Sequence, residues 1–207
     1  MSSSERVARE KALILAEGVV NWLRSYCDKI EIAGSIRREK EIVGDIEIVC
    51  QPHNRHGLDV ALSTLIENES IRKGLRWGDK LKSFFISGVT CELYIGDADN
   101  FGYLYWLRTG PSDGNTFVMT RMMIEKSAMR FDKGYGWLCE YVGDNPTYKH
   151  KLSLPDEQTV FEAMGFETVI NPLWRGEKLY KAEWKGVLPA YLLDGMRVNE
   201  PKQRRLL

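Results

Sequence analysis

The chain carries no excess of charge of either sign: 29 Lys and Arg balance 29 Asp and Glu over 207 residues. The balance is also local, with 15 basic and 16 acidic residues in 1–111 and 14 and 13 in 112–207. Tight nucleic-acid binders usually carry a positive excess, because phosphate contacts supply much of their affinity. A uniformly basic surface is therefore excluded, while a local basic patch is not. No apolar run approaches the roughly 20 residues of a membrane span, so no membrane partner is expected. The start, Met1-Ser2-Ser3-Ser4-Glu5, lacks the basic and apolar regions of a secretory signal. The four cysteines, Cys27, Cys50, Cys91 and Cys139, form no Cys-x-x-Cys pair. They are expected to be reduced, partly buried thiols in a cytoplasmic protein. Cys50, His53 and His56 are evenly spaced, but a structural zinc wants four ligands and no fourth stands nearby, so the run reads as a loop. No internal repeat is present.

The composition that remains, 43% hydrophobic and 28% charged, is that of a globular chain. Hydrophobic periodicity predicts a helix over 2–27, with Ser2 and Glu5 at capping-box spacing and Leu15, Val19, Trp22, Leu23 and Tyr26 on its apolar side. Strands are predicted at 29–33 and 45–50, a helix at about 57–68, and two strands at 80–87 and 89–95 joined at Ser87-Gly88. A helix over about 100–107 ends before Gly110-Pro111, where a domain boundary is expected. Beyond it come a methionine-rich helix over 116–129, short strands around Gly134–Val142, and a polar loop through Asn145-Pro146. Asp156 is placed to cap a helix over 157–164 that presents Val160, Phe161 and Met164.

The chemistry concentrates in Gly34-Ser35-Ile36-Arg37-Arg38 and Val43-Gly44-Asp45-Ile46-Glu47-Ile48-Val49. Strand side chains alternate, so Asp45 and Glu47 share one face while Ile46, Ile48 and Cys50 face a core. Two neighbouring carboxylates repel unless cations hold them, and hard oxygen donors suit magnesium or manganese. The Gly34-Ser35 turn lets backbone amides approach a phosphate, the Ser35 hydroxyl adds a hydrogen bond, and Arg38 is a phosphate clamp. Glu92 lies in the middle of an otherwise apolar strand. If the strands at 45–50 and 89–95 are neighbours, Glu92 joins Asp45 and Glu47 as a third ligand for two metal ions.

Gly-Ser, nine residues, then Asp-x-Glu, with a later acidic residue on a strand, resembles the nucleotidyltransferase signature, and the fuller string resembles family X (polymerase-beta-like) DNA polymerases. Phe101-Gly102, Thr109-Gly110 and Asn115 resemble the end of that family's palm. Lys133-Gly134-Tyr135 with Glu140-Tyr141, and Glu157 with Val160-Phe161 and Met164-Gly165, resemble its thumb. The resemblance covers about residues 7–177. It implies an α+β fold, with a palm of mixed β-sheet flanked by helices in 1–111 and a small α/β thumb in 112–207. It implies a DNA-directed DNA polymerase using two Mg2+ (or Mn2+) ions, a nucleoside triphosphate and a DNA primer-template, acting as a monomer, in the host cytoplasm if viral. Asp45, Glu47 and Glu92 are then the catalytic metal ligands. Gly34, Ser35, Arg38, Gly44, Arg108, Thr109, Gly110 and Asn115 border the nucleotide.

The sequence departs from the family at three points. Two of the usual three aspartates are glutamates, one methylene longer. Leu107-Arg108 stand where an aromatic pair is usual, and Arg108-Thr109-Gly110-Pro111 looks more like short phage-type relatives. No lyase or helix-hairpin-helix segment precedes residue 1, so few phosphate contacts are expected. Arg37 reads as a surface or packing residue, Asn115 alternatively as a helix cap, and Trp77, Trp106 and Trp137 as core. Arg72, Lys73, Arg76, Lys80 and Lys82 read as a solvated face that could also track a nucleic-acid backbone. The alternative activity is template-independent transfer to RNA ends, a protein or a small molecule.

Overall fold

The structure, a computed structural model, describes residues 6–124, 129–132 and 134–184. The elements run β1 (Val7–Ala8), α1 (Arg9–Leu23), β2 (Cys27–Ile32), α2 (Gly34–Arg37), β3 (Ile42–Val43), β4 (Asp45–Pro52), α3 (Arg55–Glu67), β5 (Arg72–Trp77), β6 (Leu81–Ile86) and β7 (Val89–Ile95). Then follow α4 (Phe101–Thr109), α5 (Ser112–Ile124), β8 (Met129–Phe131), β9 (Leu138–Val142), β10 (Asn145–Leu152), α6 (Glu157–Ala163) and α7 (Glu177–Glu183). A five-stranded mixed sheet has the order β2-β4-β7-β6-β5, with only β4 and β7 parallel. Strands β8 to β10 form a separate three-stranded sheet.

Alternation along β4 divides the protein. Ile46, Ile48 and Cys50 are fully buried against α1 and α3, together with Leu23, Leu58, Leu62 and Leu93. The opposite face carries Asp45, Glu47 and Val49, and α4 covers part of it through a small cluster of Ala33, Val49, Tyr94 and Phe101. A second core gathers Tyr103 and Trp106 of α4 with Val118, Phe131, Leu138, Phe161 and Tyr180. Trp106 donates from Nε1 to Tyr180 Oη at 3.2 Å. Helix α4 therefore serves both that small cluster and the second core, although Tyr103 and Trp106 precede the expected boundary near 111.

Several expected elements differ in extent, for identifiable reasons. The first helix starts at Arg9 because Val7 and Ala8 pair with Val43 and Ile42; Ser2 and Glu5 lie outside the described residues. Trp22 is 43% exposed, not part of the core stripe. Residues 72–77, read from their charges as a solvated face, form edge strand β5, in which the Arg72 guanidinium lies over the Phe85 ring of β6 and the Lys73 ammonium over the Trp77 ring. The polar stretch at Asn145-Pro146 opens strand β10 rather than a loop. Helix α5 begins four residues earlier than expected, at Ser112. The Asp156 cap is present: its side chain accepts from Thr159 N at 2.9 Å, and Val160, Phe161 and Met164 are buried. All four cysteines are buried free thiols. No helix among the described residues is long and apolar enough to cross a membrane.

One buried ion cluster ties the end of α2 to the second core. Arg37 donates from Nη1 and Nη2 to the two carboxylate oxygens of Glu157, at 2.8 and 2.7 Å. Arg175, whose side chain is fully buried, grips the same carboxylate at 2.7 and 3.1 Å. Arg37 also donates to Thr109 Oγ1 at 2.7 Å and lies 3.8 Å over the Tyr105 ring. Burial opposes the charged form of Glu157, but hydrogen bonds from Arg37 and Arg175 outweigh it and lower its pKa below the ordinary 4.5. A depressed carboxylate contributes stability above its unfolded pKa and loses it as pH falls through the folded value. Breaking such a buried pair costs about 3–5 kcal/mol, so Glu157→Gln should lower unfolding free energy at pH 7 by that amount. Urea unfolding at pH 7 and below pH 4.5 checks this. The wild type should lose stability on acidification, and the variant should lack that part of the loss.

Candidate active site

Strand β2 ends at Ile32, and the chain turns sharply at Gly34, where φ is +64°. Ala33 N donates to Glu47 O at 2.8 Å, which fastens the turn to β4. A Cβ at Gly34 would strike the Glu47 carboxylate, so only glycine fits both the backbone angle and the space. Next in the turn, the Ser35 hydroxyl is buried with no hydrogen-bond partner. Arg38 follows α2, and its Nη1 donates to the carbonyl of Thr109 while its buried Nε has no partner. Burial lowers the Arg38 pKa, and the charges of Glu47, Asp113 and Asp45 act in the opposite direction. Arg38 thus stands between the carboxylate strand and the start of α5.

The parallel register of β4 and β7 places Glu47 directly opposite Glu92, with Asp45 opposite Thr90. The expected adjacency of the two strands is present. The three carboxylates are nevertheless held differently. Burial, then the neighbouring charge of Asp45, raises the Glu47 pKa to about 7, against the opposing pull of Arg108 and Arg38. Glu92 is 6% exposed and ion-paired to Arg76, and it accepts a hydrogen bond from Tyr94 Oη. Among the described residues, no three His, Cys, Asp or Glu side chains gather as a ligand set. Asp45 and Glu47 fit a divalent cation, since they are hard oxygen donors on one face whose mutual repulsion a cation would relieve. Glu92 is in register with them but engaged by Arg76.

The end of α4 forms the next wall. Arg108 lies 3.9 Å over the Tyr94 ring, and its Nε is buried without a partner. Thr109 is fully buried, with its hydroxyl taken by Arg37, and Gly110 follows with φ +66°. Asn115 sits inside α5 rather than at its start, so it does not cap that helix; its Nδ2 donates to Leu107 O at 2.8 Å, and its Oδ1 is buried without a partner. Gly44 directly precedes β4, with open space around its α-carbon. Tyr94 and Arg108 also line a cleft of about 350 Å3 that reaches Lys80 and Tyr135.

The sequence left the ion-pair roles of Glu157, Arg175 and Arg76 and the hydrogen bond of Tyr94 unread, with Glu157 noted only in the thumb resemblance, Arg76 only in the basic set and Arg37 only as a surface or packing residue. The one available signal was Glu157 itself, an acid in the first turn of a helix already capped by Asp156. The basic set at 72–82 divides: Lys82 pairs with Asp59 at 3.2 Å, Lys80 donates to Gly134 O at 2.6 Å, and only Arg76 reaches the carboxylates. Trp106 is core, Trp77 is half-buried and packs against the first core with the Lys82 ammonium over its ring, and Trp137 is half-buried under the Lys151 ammonium.

No family model matches the chain, and no curated protein sequence matches it. Among solved structures it is similar to the polymerase beta of Leishmania infantum in a ternary P/T complex, with a TM-score of 0.67 and 12% identity. The likeness covers 84% of this chain and 78% of that one. The chain therefore shares the fold of that polymerase beta, a mixed five-stranded sheet flanked by helices.

The raised Glu47 pKa has a consequence for stability. The folded state holds a proton that the unfolded state releases near 4.5, so stability falls as pH rises from 4.5 through about 7. The expected loss attributable to Glu47 is on the order of 3 kcal/mol. Glu47→Gln should abolish that slope. Unfolding free energies of both proteins across this range provide the check; parallel profiles would contradict it.

Proposed function

We propose that the protein transfers nucleotides to the 3′-hydroxyl of a DNA primer, as a metal-dependent polymerase. The observation that carries the reading is that four of the buried polar side-chain atoms without a hydrogen-bond partner gather here: Ser35 Oγ, Arg38 Nε, Arg108 Nε and Asn115 Oδ1. An unsatisfied buried polar group costs about 1–3 kcal/mol, and native proteins tolerate few of them. These four belong to residues that the sequence motif assigns to the nucleotide, and they include both donors expected to hold its phosphates. A bound triphosphate would satisfy Ser35 and Arg38 with charge-assisted hydrogen bonds.

Asp45 and Glu47 would hold the divalent cations, Mg2+ or Mn2+, with Glu92 as the third ligand. When bound, such ions neutralise charge on the attacking and departing oxygens. The chain's own residues supply the rest. Ser35 and Arg38 bind and orient the triphosphate, with the Gly34 turn giving its oxygens access to backbone amides. Thr109, Gly110 and Asn115 border sugar and base. A Glu92 carboxylate oxygen receives the primer hydroxyl proton as the O3′–Pα bond forms, the Pα–O bond breaks and pyrophosphate departs. The likeness to a polymerase beta in a ternary P/T complex supports DNA as the acceptor, and the role proposed here is gap-filling and repair-like.

A second reading, template-independent transfer, is favoured by the zero net charge and by the engagement of Lys80, Lys82 and Arg76 with protein groups. Extension assays on gapped, blunt and single-stranded DNA, with each nucleotide type, separate the two. Incorporation on gapped DNA should dominate, and Asp45→Asn should reduce it by at least about a thousandfold while the protein stays folded, about 4 kcal/mol of transition-state stabilisation. Full activity in a folded Asp45→Asn protein would refute the reading. Arg38→Ala should weaken triphosphate binding more than Arg37→Ala in nucleotide titrations, since Arg37 is committed to Glu157.

A further inference from the structure

Edge strand β5 loses its pairing with β6 between Lys73 and Trp77. The irregularity is firmly held. Arg76 N donates to Ser83 Oγ at 3.1 Å, and the same hydroxyl donates to Arg76 O at 3.1 Å. Gly74 packs so closely on Ser83 that a Cβ there would lie 2.7 Å from its carbonyl oxygen, which is backbone and cannot yield. Such bulges re-aim side chains. Here Leu75 is turned fully into solvent, at 103% exposure, and the guanidinium of Arg76 is brought to Glu92. An apolar side chain held in water does nothing for folding, so the yield of the bulge is the placement of Arg76. The neighbouring cations point to other partners: Arg72 lies over Phe85, Lys73 over Trp77, and Lys82 pairs with Asp59.

The pair is lopsided. Glu92 has 8% of its side chain exposed, while Arg76 has 58%. The carboxylate is committed to Arg76 and Tyr94, but the guanidinium has five N–H donors and solvent on its open side. A phosphate offers the same planar fork a doubly accepting partner. Arg76 therefore can change partners without entering the protein, whereas a cation approaching Glu92 meets the charge of Arg76 until the guanidinium leaves.

We propose that Arg76 is a positioning residue that withholds Glu92 from divalent cations until a DNA backbone phosphate takes the guanidinium. The inference rests on the metal-dependent reading given above and adds an order of events to it: DNA first, completed cation site second. Idle turnover of triphosphate is thereby suppressed in the absence of an acceptor strand.

The test is Mn2+ binding to the full chain, measured by the paramagnetic resonance signal of free Mn2+, without nucleotide. Arg76→Gln should tighten Mn2+ binding by at least about tenfold, equivalent to about 1.4 kcal/mol. Ser83→Ala, which frees the bulge, should tighten it in the same direction by a smaller factor. Adding a duplex with a dideoxy 3′ end should tighten binding to the wild type by a similar factor and leave Arg76→Gln unchanged. A purely structural role for Arg76 would weaken Mn2+ binding or leave it alone, and either result overturns the proposal. Asp45→Asn separates this failure from that of the underlying reading. If Asp45→Asn abolishes Mn2+ binding while Arg76→Gln matches the wild type, only the role of Arg76 falls. If Asp45→Asn binds Mn2+ as the wild type does, the metal-dependent reading falls with it.

Discussion

The geometry of the candidate site depends on the Arg37–Glu157–Arg175 cluster. Three charged side chains, none more than a fifth exposed, meet between the end of α2 and the start of α6. Burying charge is costly unless it is paired and hydrogen-bonded, and here one carboxylate accepts four hydrogen bonds from two guanidiniums. The position of Glu157 in the first turn of α6 also places its charge at the favourable end of the helix dipole. Arg37 additionally holds Thr109, and Arg38, the next residue, donates to the carbonyl of Thr109. The Gly34-Ser35 turn and the end of α4 are thus held to each other through Arg37, which the cluster itself anchors.

Around that frame, the site is electrostatically incomplete by design of its side chains. Asp45 and Glu47 face one another's charge, and burial holds the Glu47 proton to about pH 7. Donors of Ser35, Arg38 and Arg108 are buried without acceptors. An excess of acceptor charge beside an excess of unused donors is what a cation and a polyanion together would satisfy. The zero net charge of the chain is consistent with this arrangement, because the binding groups are local rather than spread over a basic surface.

Much of this was legible in the sequence. The Gly34-Ser35 turn, the shared face of Asp45 and Glu47 and the strand position of Glu92 follow from a two-residue period and from glycine's conformational freedom, which are local properties. The Asp156 cap is local too. What was not legible is long-range. Arg37 and Glu157 lie 120 residues apart, and nothing in either neighbourhood announces the other. Arg76 looked like one of five solvent cations because a bulge, which changes the aim of a side chain without changing hydrophobic pattern, leaves little trace in sequence. Strand β5 was concealed for a related reason: its cations lie over aromatic rings, Arg72 over Phe85 and Lys73 over Trp77, so charges that look solvated in the sequence have partners in the sheet. Strand β10 was concealed by Asn145-Pro146, which resembles a turn yet begins an edge strand.

The most direct test is a crystal structure with Mn2+, a non-hydrolysable deoxynucleoside triphosphate and a primer-template duplex, read by anomalous scattering. The account places the manganese peaks at Asp45, Glu47 and Glu92, with the triphosphate oxygens on Ser35 and Arg38. Manganese bound elsewhere, or a triphosphate that leaves Ser35 and Arg38 unpartnered, would contradict it.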